Sequence, residues 1–138
     1  MKRKEPKCKY KNVMLLEENQ LDNFINAKII ESTNFSSHVY VCTNGETAIE
    51  FLNNISNPKN VSPETFPEVL FIDLNMVLKG GIRFINYIKQ ISESKIRKAK
   101  IVISGSSVEL QDKQKTNGIP NNLVFLHKPL TAKMLALL

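Results

Sequence analysis

The chain alternates between short apolar runs, which are typical of buried strands, and stretches with apolar residues at helical spacing. Four apolar runs lie at residues 13–16, 69–72, 101–103 and 123–126, and residues 38–42 predict a further strand by alternation, with Val39 and Val41 on one face. After the first run, Leu21, Phe24 and Ile25 recur at the spacing of one helix. Strands that alternate with helices and are apolar on both faces predict a parallel sheet covered on both sides. We therefore expect an α/β fold with a doubly wound, five-stranded sheet.

Polar and glycine-containing segments mark the expected ends of the helices. Residues 43–46 have the form of a capping box, with Thr43 as the cap of a second helix. Residues 56–67 contain three prolines and predict a loop. Gly80-Gly81 precedes the pattern of a third helix. The piece from about 107 to 116 is polar almost throughout, so we expect a fourth helix that is loosely packed or partly exposed.

Length and composition are those of one ordinary globular domain. The chain has 138 residues, of which 42% are hydrophobic and 23% are charged. No apolar stretch approaches the ~20 residues that a membrane-spanning helix needs, and the basic start has no apolar run behind it. Cys8 and Cys42 show neither metal-ligand spacing nor a disulfide framework. We expect a cytoplasmic protein without a membrane partner.

The net charge of +6 is concentrated at the start of the chain. Residues 1–11 carry six basic side chains against one acidic side chain, Glu5, and the remainder has 13 basic and 12 acidic groups. We therefore divide the chain into a basic, flexible tail at residues 1–10 and a nearly neutral domain at residues 11–138. A solvated terminus explains the charge, so nucleic acid is not expected as a partner.

Polar side chains follow directly on four of the predicted strands. Glu17 and Glu18 follow the first strand, Asp73 the third, Ser104 the fourth and Lys128 closely follows the fifth. In parallel sheets ligands bind beyond the carboxyl ends of the strands, where the strand order reverses. We therefore expect these side chains to lie at one edge of the sheet.

This set of side chains has the chemistry of a phosphoryl-transfer site. Carboxylates brought together repel one another unless a cation joins them, and hard oxygen ligands suit Mg²⁺. A carboxylate beside Mg²⁺ can attack a phosphoryl group, with Lys128 neutralising charge and the Ser104 hydroxyl bonding a phosphoryl oxygen. Ser104 ends the apolar run, and Ser106, two residues further along the chain, is the alternative hydroxyl. The added negative charge would draw these groups inward and move their loops.

At these residues the chain resembles the receiver domains of two-component signalling, from about Lys11 to Leu138. The resemblance rests on Leu15-Leu16-Glu17-Glu18-Asn19, on Phe71-Ile72-Asp73-Leu74-Asn75-Met76 with Gly81, on Ile103-Ser104, and on His127-Lys128-Pro129-Leu130. It implies a flavodoxin-like fold with strand order 2-1-3-4-5 and helices on both faces. It also implies a phosphoacceptor that responds to a kinase and is not a turnover enzyme.

The resemblance assigns the phosphoacceptor and the metal ligands. Asp73 would accept the phosphoryl group. Glu18 would hold Mg²⁺ together with Asp73 and the backbone carbonyl of Asn75, with Glu17 acting through water or a nearby contact. An aspartyl-phosphate phosphatase usually has a second acid two residues after its nucleophile, and Asn75 in that position argues against turnover.

The resemblance also assigns the groups that respond to phosphorylation. Lys128 would pair with the phosphoryl group, and the Lys128-Pro129 peptide bond would be cis. Phe125 stands where the family has its aromatic switch residue. His127 points away from the site by strand alternation, so we expect a structural role for it.

Two departures from the family pattern leave a second function open. Glu17-Glu18 replaces the usual Asp-Asp or Glu-Asp pair, and the additional methylene of Glu18 shifts the main metal ligand. Val77 replaces the usual proline after the methionine. The alternative to a phosphoacceptor is therefore a degenerate receiver that binds its partners constitutively.

The resemblance implies protein partners. A sensor histidine kinase or phosphotransfer protein would supply the phosphoryl group. A downstream protein would bind the face formed by helix 4, strand 5 and helix 5, and pairing of two copies through the last helix and strand is a further expectation.

Overall fold

A computed structural model describes residues 7–56, 66–90, 98–107, 109–119 and 123–138. Its strands are β1 Tyr10–Leu16, β2 Ser36–Cys42, β3 Val69–Asp73, β4 Lys100–Gly105 and β5 Leu123–His127. Its α-helices are α1 Gln20–Ser32, α2 Gly45–Ser56, α3 Leu74–Met76, α4 Ile82–Gln90 and α5 Ala132–Ala136. A π-helical turn occupies Val77–Gly81, and a 3₁₀-helix occupies Glu109–Thr116. The predicted loop at 56–67 and the predicted tail lie largely outside the described residues.

The five strands form one parallel sheet in the order β2-β1-β3-β4-β5. The predicted fold class and strand order are therefore confirmed. The order reverses between β1 and β3, where Leu16, the last residue of β1, lies opposite Ile72, one residue before the end of β3. This register brings the residues that follow both strands to the same edge of the sheet.

The apolar side chains of the strands pack on both faces of the sheet. On one face Met14, Leu70 and Ile101 pack with buried residues of α2 and α4. On the other face Val13 and Val102 pack with buried residues of α1 and α5. Successive residues of a strand point to opposite faces, so only strands that are apolar throughout can form both cores.

Helix α1 packs differently from the apolar pattern that predicted it. Leu21 is 66% exposed and Phe24 is 62% exposed, whereas Asn23 and Ile30 are buried. The Asn23 side-chain amide donates a 2.7 Å hydrogen bond to the backbone carbonyl of Glu17. This polar contact fixes the rotation of the helix, which leaves apolar side chains at the surface.

Helix α2 begins as predicted, but with a different cap. The Asn44 side chain accepts a 2.8 Å hydrogen bond from the backbone N–H of Thr47. Asn44 therefore has the role that the capping-box pattern assigned to Thr43, and this prediction was wrong by one residue.

The third helical segment begins earlier than the sequence pattern indicates. The backbone is helical from Leu74 to Gln90, through α3, the π-helical turn and α4, without the expected break at Gly80-Gly81. The Asp73 side chain caps its first turn, and the backbone N–H of Val77 donates to the carbonyl of Leu74. A proline at position 77 has no N–H to make that bond, so Val77 permits the early start.

The predicted fourth helix is a 3₁₀-helix. Ser106 and Glu109 form a reciprocal cap before it, with the Ser106 N–H donating to Glu109 Oε1 at 2.8 Å and the Glu109 N–H donating to Ser106 Oγ at 3.2 Å. Such a pair satisfies two amides at the start of a helix.

Among all described residues, no helix has the length and apolar character that crossing a bilayer requires.

Candidate functional site

The predicted polar residues gather at the carboxyl edge of β1, β3, β4 and β5. Asp73, the last residue of β3, lies opposite Ser104 in the adjacent strand. A cavity of about 130 Å³ beside them is also lined by Glu17 and Lys128. Four of the five side chains expected at this edge therefore share one cavity.

The strongest contact in the cavity joins Lys128 to Asp73. Lys128 Nζ lies 2.7 Å from Asp73 Oδ1, and Asp73 is only 4% exposed. Burial works against the charge on Lys128, but the hydrogen bond and negative charge of Asp73 outweigh it and raise the Lys128 pKa. The Lys128 N–H donates to the Gly105 carbonyl at 3.0 Å, and the Lys128-Pro129 bond is cis, as the resemblance implies.

Glu17 is a buried acid beside this ion pair. Burial, followed by the hydrogen bond and negative charge of Asp73, raises the Glu17 pKa to about 8, although Lys128 at 4.0 Å opposes the change. Glu17 Oε2 is buried and has no hydrogen-bond partner among the described residues. The site therefore holds a buried carboxyl oxygen without a donor among the described residues, and burying such a polar atom is costly unless a partner compensates it.

Glu18 lies on the other side of the same edge. Its carboxylate is 3.7 Å from Lys79 Nζ, and its side chain is 54% exposed. Glu18 and Lys79 line a second, open cleft together with Asn44 and Arg83. The structure thus separates the two neighbouring acids and leaves Glu18 outside the cavity of Asp73.

The two candidate hydroxyls have different surroundings. Ser104 lines the cavity with Asp73 and Lys128. Ser106 instead accepts the N–H of Glu109 in the cap of the 3₁₀-helix. Of the two, only Ser104 lines the cavity of Asp73.

The remaining predicted residues border the site. Asn75 donates its N–H to Asp73 Oδ1 at 3.3 Å. Because Asn75 belongs to a helical turn, its carbonyl points toward the carboxyl end of that turn. Phe125 lies opposite Ile103 in the sheet and is half-buried against the core on the α2 and α4 side.

Three contacts at the site were not expected from the sequence. His127 Nδ1 lies 2.7 Å from the Lys128 carbonyl, and His127 Nε2 lies 2.6 Å from Ser107 Oγ. Because a carbonyl only accepts, the Nδ1 atom carries the proton in this contact. The other unexpected contact is the Lys79–Glu18 pair, for which the only signal in the sequence was a basic residue shortly after Asp73.

The oxygen atoms of the cavity fit a small hard cation. Mg²⁺ binds through one or two carboxylates and retains several waters, and Glu17 and Asp73 supply two carboxylates. Among the described residues, no group of three acidic, histidine or cysteine side chains stands ready to hold a metal. The unpartnered Glu17 oxygen nevertheless is the kind of atom that a cation would satisfy.

Comparison with solved structures identifies similar proteins. A two component response regulator from Cytophaga hutchinsonii has a TM-score of 0.73 and 26% identity, over 92% of each chain. The bacteriophytochrome response regulator RtBRR has a TM-score of 0.69 and 23% identity, over 93% of this chain and 75% of its own. The phosphorylated cyanobacterial phytochrome response regulator RcpA has a TM-score of 0.66 and 21% identity, over 91% of this chain and 86% of its own.

The sequence matches no family model and no curated protein. The fold, the strand order and the similarity to the Cytophaga hutchinsonii regulator along nearly the whole of both chains agree with the resemblance drawn from the sequence. The chain has the fold of response-regulator receiver domains and is similar to them over nearly its whole length.

Proposed function

We propose that this receiver domain accepts a phosphoryl group on Asp73 and signals by a change of conformation. The observation that carries the proposal is the 2.7 Å contact between Lys128 Nζ and the buried Asp73 carboxylate. A buried carboxylate with a cation on one oxygen and an open cavity beside it is poised to act as a nucleophile. Ser104 lines the same cavity and supplies a hydroxyl for a phosphoryl oxygen.

The transfer would form one bond and break one bond. An Asp73 oxygen attacks phosphorus and forms an acyl phosphate, while the bond from phosphorus to the donor breaks. A phosphohistidine donor leaves as a neutral imidazole after taking up a proton, and acetyl phosphate leaves as acetate. Lys128 remains protonated and stabilises the negative charge that spreads over the phosphoryl oxygens.

A magnesium ion would be held by the carboxylates at this edge. Glu17 and Asp73 already share the cavity, and Glu18 and the Asn75 carbonyl complete the set that the resemblance implies. Bound Mg²⁺ would supply positive charge to the phosphoryl oxygens. The buried, unpartnered oxygen of Glu17 supports this proposal.

The signal would pass through the loops that surround the phosphoryl group. Two added negative charges attract Lys128 and the Ser104 hydroxyl, which lie at the ends of β5 and β4. Phe125, which lies two residues before His127 in β5, would respond as the switch residue. The readout would be a downstream protein on the face of the 3₁₀-helix, β5 and α5, and pairing of two copies remains part of the proposal.

The phosphoryl group would come from a sensor histidine kinase or a phosphotransfer protein in the cytoplasm. Such a donor must contact the surface around Asp73. Helix α1 exposes Leu21 and Phe24, and its Ile25 lines the cavity of Asp73. Exposed apolar side chains next to a reactive group are typical of a surface that a protein partner covers.

The proposed division of the chain is a basic tail at residues 1–10 and a receiver at residues 11–138.

The direct test is phosphorylation by acetyl phosphate with Mg²⁺, followed by intact mass measurement. The native protein is expected to gain one phosphoryl group that is stable in acid and labile in base. Asp73→Asn is expected to gain none, because an amide is not a nucleophile here. Asp22→Asn is the control, since Asp22 lines the same cavity and its change should preserve the gain. A phosphoryl group that persists in Asp73→Asn contradicts the assignment.

A degenerate receiver is the second candidate, and the Glu18–Lys79 pair favours it. An ion pair that occupies the main metal ligand weakens the site for Mg²⁺. On that alternative the protein binds partners without phosphorylation. It predicts neither Mg²⁺ binding nor a mass gain with acetyl phosphate, so the same experiment separates the two candidates.

A further inference from the structure

We propose that Lys79 acts as an internal competitor of the metal ion by holding Glu18 away from the phosphoacceptor. The inference rests on the proposed function, because it concerns the metal affinity of that same site. Lys79 is thus a positioning residue that sets how much Mg²⁺ the domain needs before it can accept a phosphoryl group.

The positions of the two acids supply the first argument. Glu17 faces Asp73 and is 7% exposed. Glu18 faces the second cleft, with its carboxylate 3.7 Å from Lys79 Nζ. A carboxylate paired with an ammonium in one cleft is unavailable to a cation in the other. Metal binding through Glu18 therefore requires the pair to open.

The second argument is the position of Lys79, which the backbone after Asp73 determines. The helical run that begins after Asp73 carries Lys79 in its π-helical turn. The N–H of Val77 donates to Leu74 within this run, which proline could not do. Turns of π-helix are uncommon and often lie at functional sites. The helical run that contains Val77 thus carries the lysine that pairs with Glu18.

The length of the acid supplies the third argument. Glu18 has one methylene more than the aspartate that the family usually places there, and the extra reach allows its carboxylate to approach Lys79. Both side chains of the pair are more than half exposed, at 64% for Lys79 and 54% for Glu18. An exposed pair is a weak restraint, so the competition should shift metal affinity by a small factor.

The test is a titration of metal-free protein with Mg²⁺ in a calorimeter, repeated with Mn²⁺ by electron paramagnetic resonance of the free ion. Lys79→Met is expected to tighten Mg²⁺ binding about two- to fivefold relative to the native chain. Arg83→Met is the matched control, because Arg83 lines the same cleft but pairs with Glu46 at 3.0 Å. It removes the same charge without freeing Glu18, so its effect should be smaller.

A Glu18→Gln background separates the effect of breaking the Lys79–Glu18 contact from the effect of removing a positive charge. In a Glu18→Gln chain, Lys79→Met should change the affinity no more than Arg83→Met does. Equal effects of the two changes in the native background overturn the inference while leaving the metal site intact. If neither the native chain nor Lys79→Met binds either ion, the metal site of the proposed function fails as well, which is a separate result.

Discussion

Glu17 and Glu18 are identical in chemistry and adjacent in sequence, yet they belong to different parts of the molecule. Glu17 is buried beside Asp73 and Lys128, and its pKa is raised to about 8. Glu18 is in an open cleft and pairs with an exposed Lys79. Both residues follow the end of β1, and the chain bends at Glu18 before α1 begins. Burial therefore decides whether an acid at this edge interacts strongly with its neighbours or only forms a weak ion pair at the surface.

The rate of phosphorylation should depend more strongly on the lysine in the buried cavity than on an exposed lysine. Lys128→Met removes the ammonium that lies 2.7 Å from Asp73. We expect phosphorylation by acetyl phosphate to slow by about 100-fold, since a positioned cationic donor is lost from a buried site. The rate is measured by quenched mass spectrometry. Lys133→Met, an exposed lysine on α5, is the control and should react at the native rate.

A native rate in Lys128→Met would mean that the contact with Asp73 has no part in the transfer. The cavity of Asp73 would then differ from the open cleft of Glu18 only in how deeply its side chains are buried.

The pH dependence of stability should separate Glu17 from Glu18. The Glu17 pKa is about 8 in the folded protein against 4.5 for an ordinary glutamate. Between these values the folded state holds a proton that the unfolded state has lost, so the free energy of unfolding falls as pH rises from 4.5 to 8. The decrease is on the order of 3 kcal/mol in metal-free protein.

Urea unfolding in a chelating buffer at pH 6 and pH 8 measures this effect. Glu17→Gln should be more stable than the native chain at pH 8 and should lose most of the pH dependence. Glu18→Gln should retain the native dependence, because it leaves Glu17 in place. The same slope in native protein and in Glu17→Gln would show that Glu17 is not the titrating group.

The smallest expected effects distinguish the two serines at the end of β4. Ser104→Ala should slow phosphorylation by about tenfold, because it removes a hydroxyl from the cavity of Asp73. Ser106→Ala should leave the rate unchanged and lower the free energy of unfolding by about 1 kcal/mol, because it removes a helix cap. Rate and urea unfolding are measured on both variants. The opposite assignment of effects would identify Ser106 as the phosphoryl contact.

The fold was predictable because its determinants repeat along the chain. Four strands have runs of consecutive apolar residues and β2 alternates, and each strand is followed by a helical pattern or a polar segment. Parallel strands with right-handed connections leave few arrangements. The edge of the sheet was predictable for the same reason, since residues that follow aligned strands must meet. Asp73, Ser104 and Lys128 therefore lie together as expected.

Predictions that depended on local pattern alone were less accurate. The cap of α2 is Asn44 and not Thr43, because both residues can accept an amide hydrogen bond and the backbone path selects one. The apolar positions Leu21 and Phe24 of α1 are exposed, because the Asn23 contact with Glu17 rotates the helix. The third helical segment begins at Leu74, where the Asp73 side chain caps its first turn.

The sequence by itself determined the α/β class, the strand order implied by the resemblance, and the set of polar residues at the carboxyl edge of the sheet. These follow from hydrophobic burial and from backbone geometry, which act uniformly along each element. Only the tertiary structure decided that Glu17 enters the cavity and that Glu18 pairs with Lys79. Such choices depend on which charged groups from distant segments come within a few ångströms, and that proximity exists only after the chain has folded.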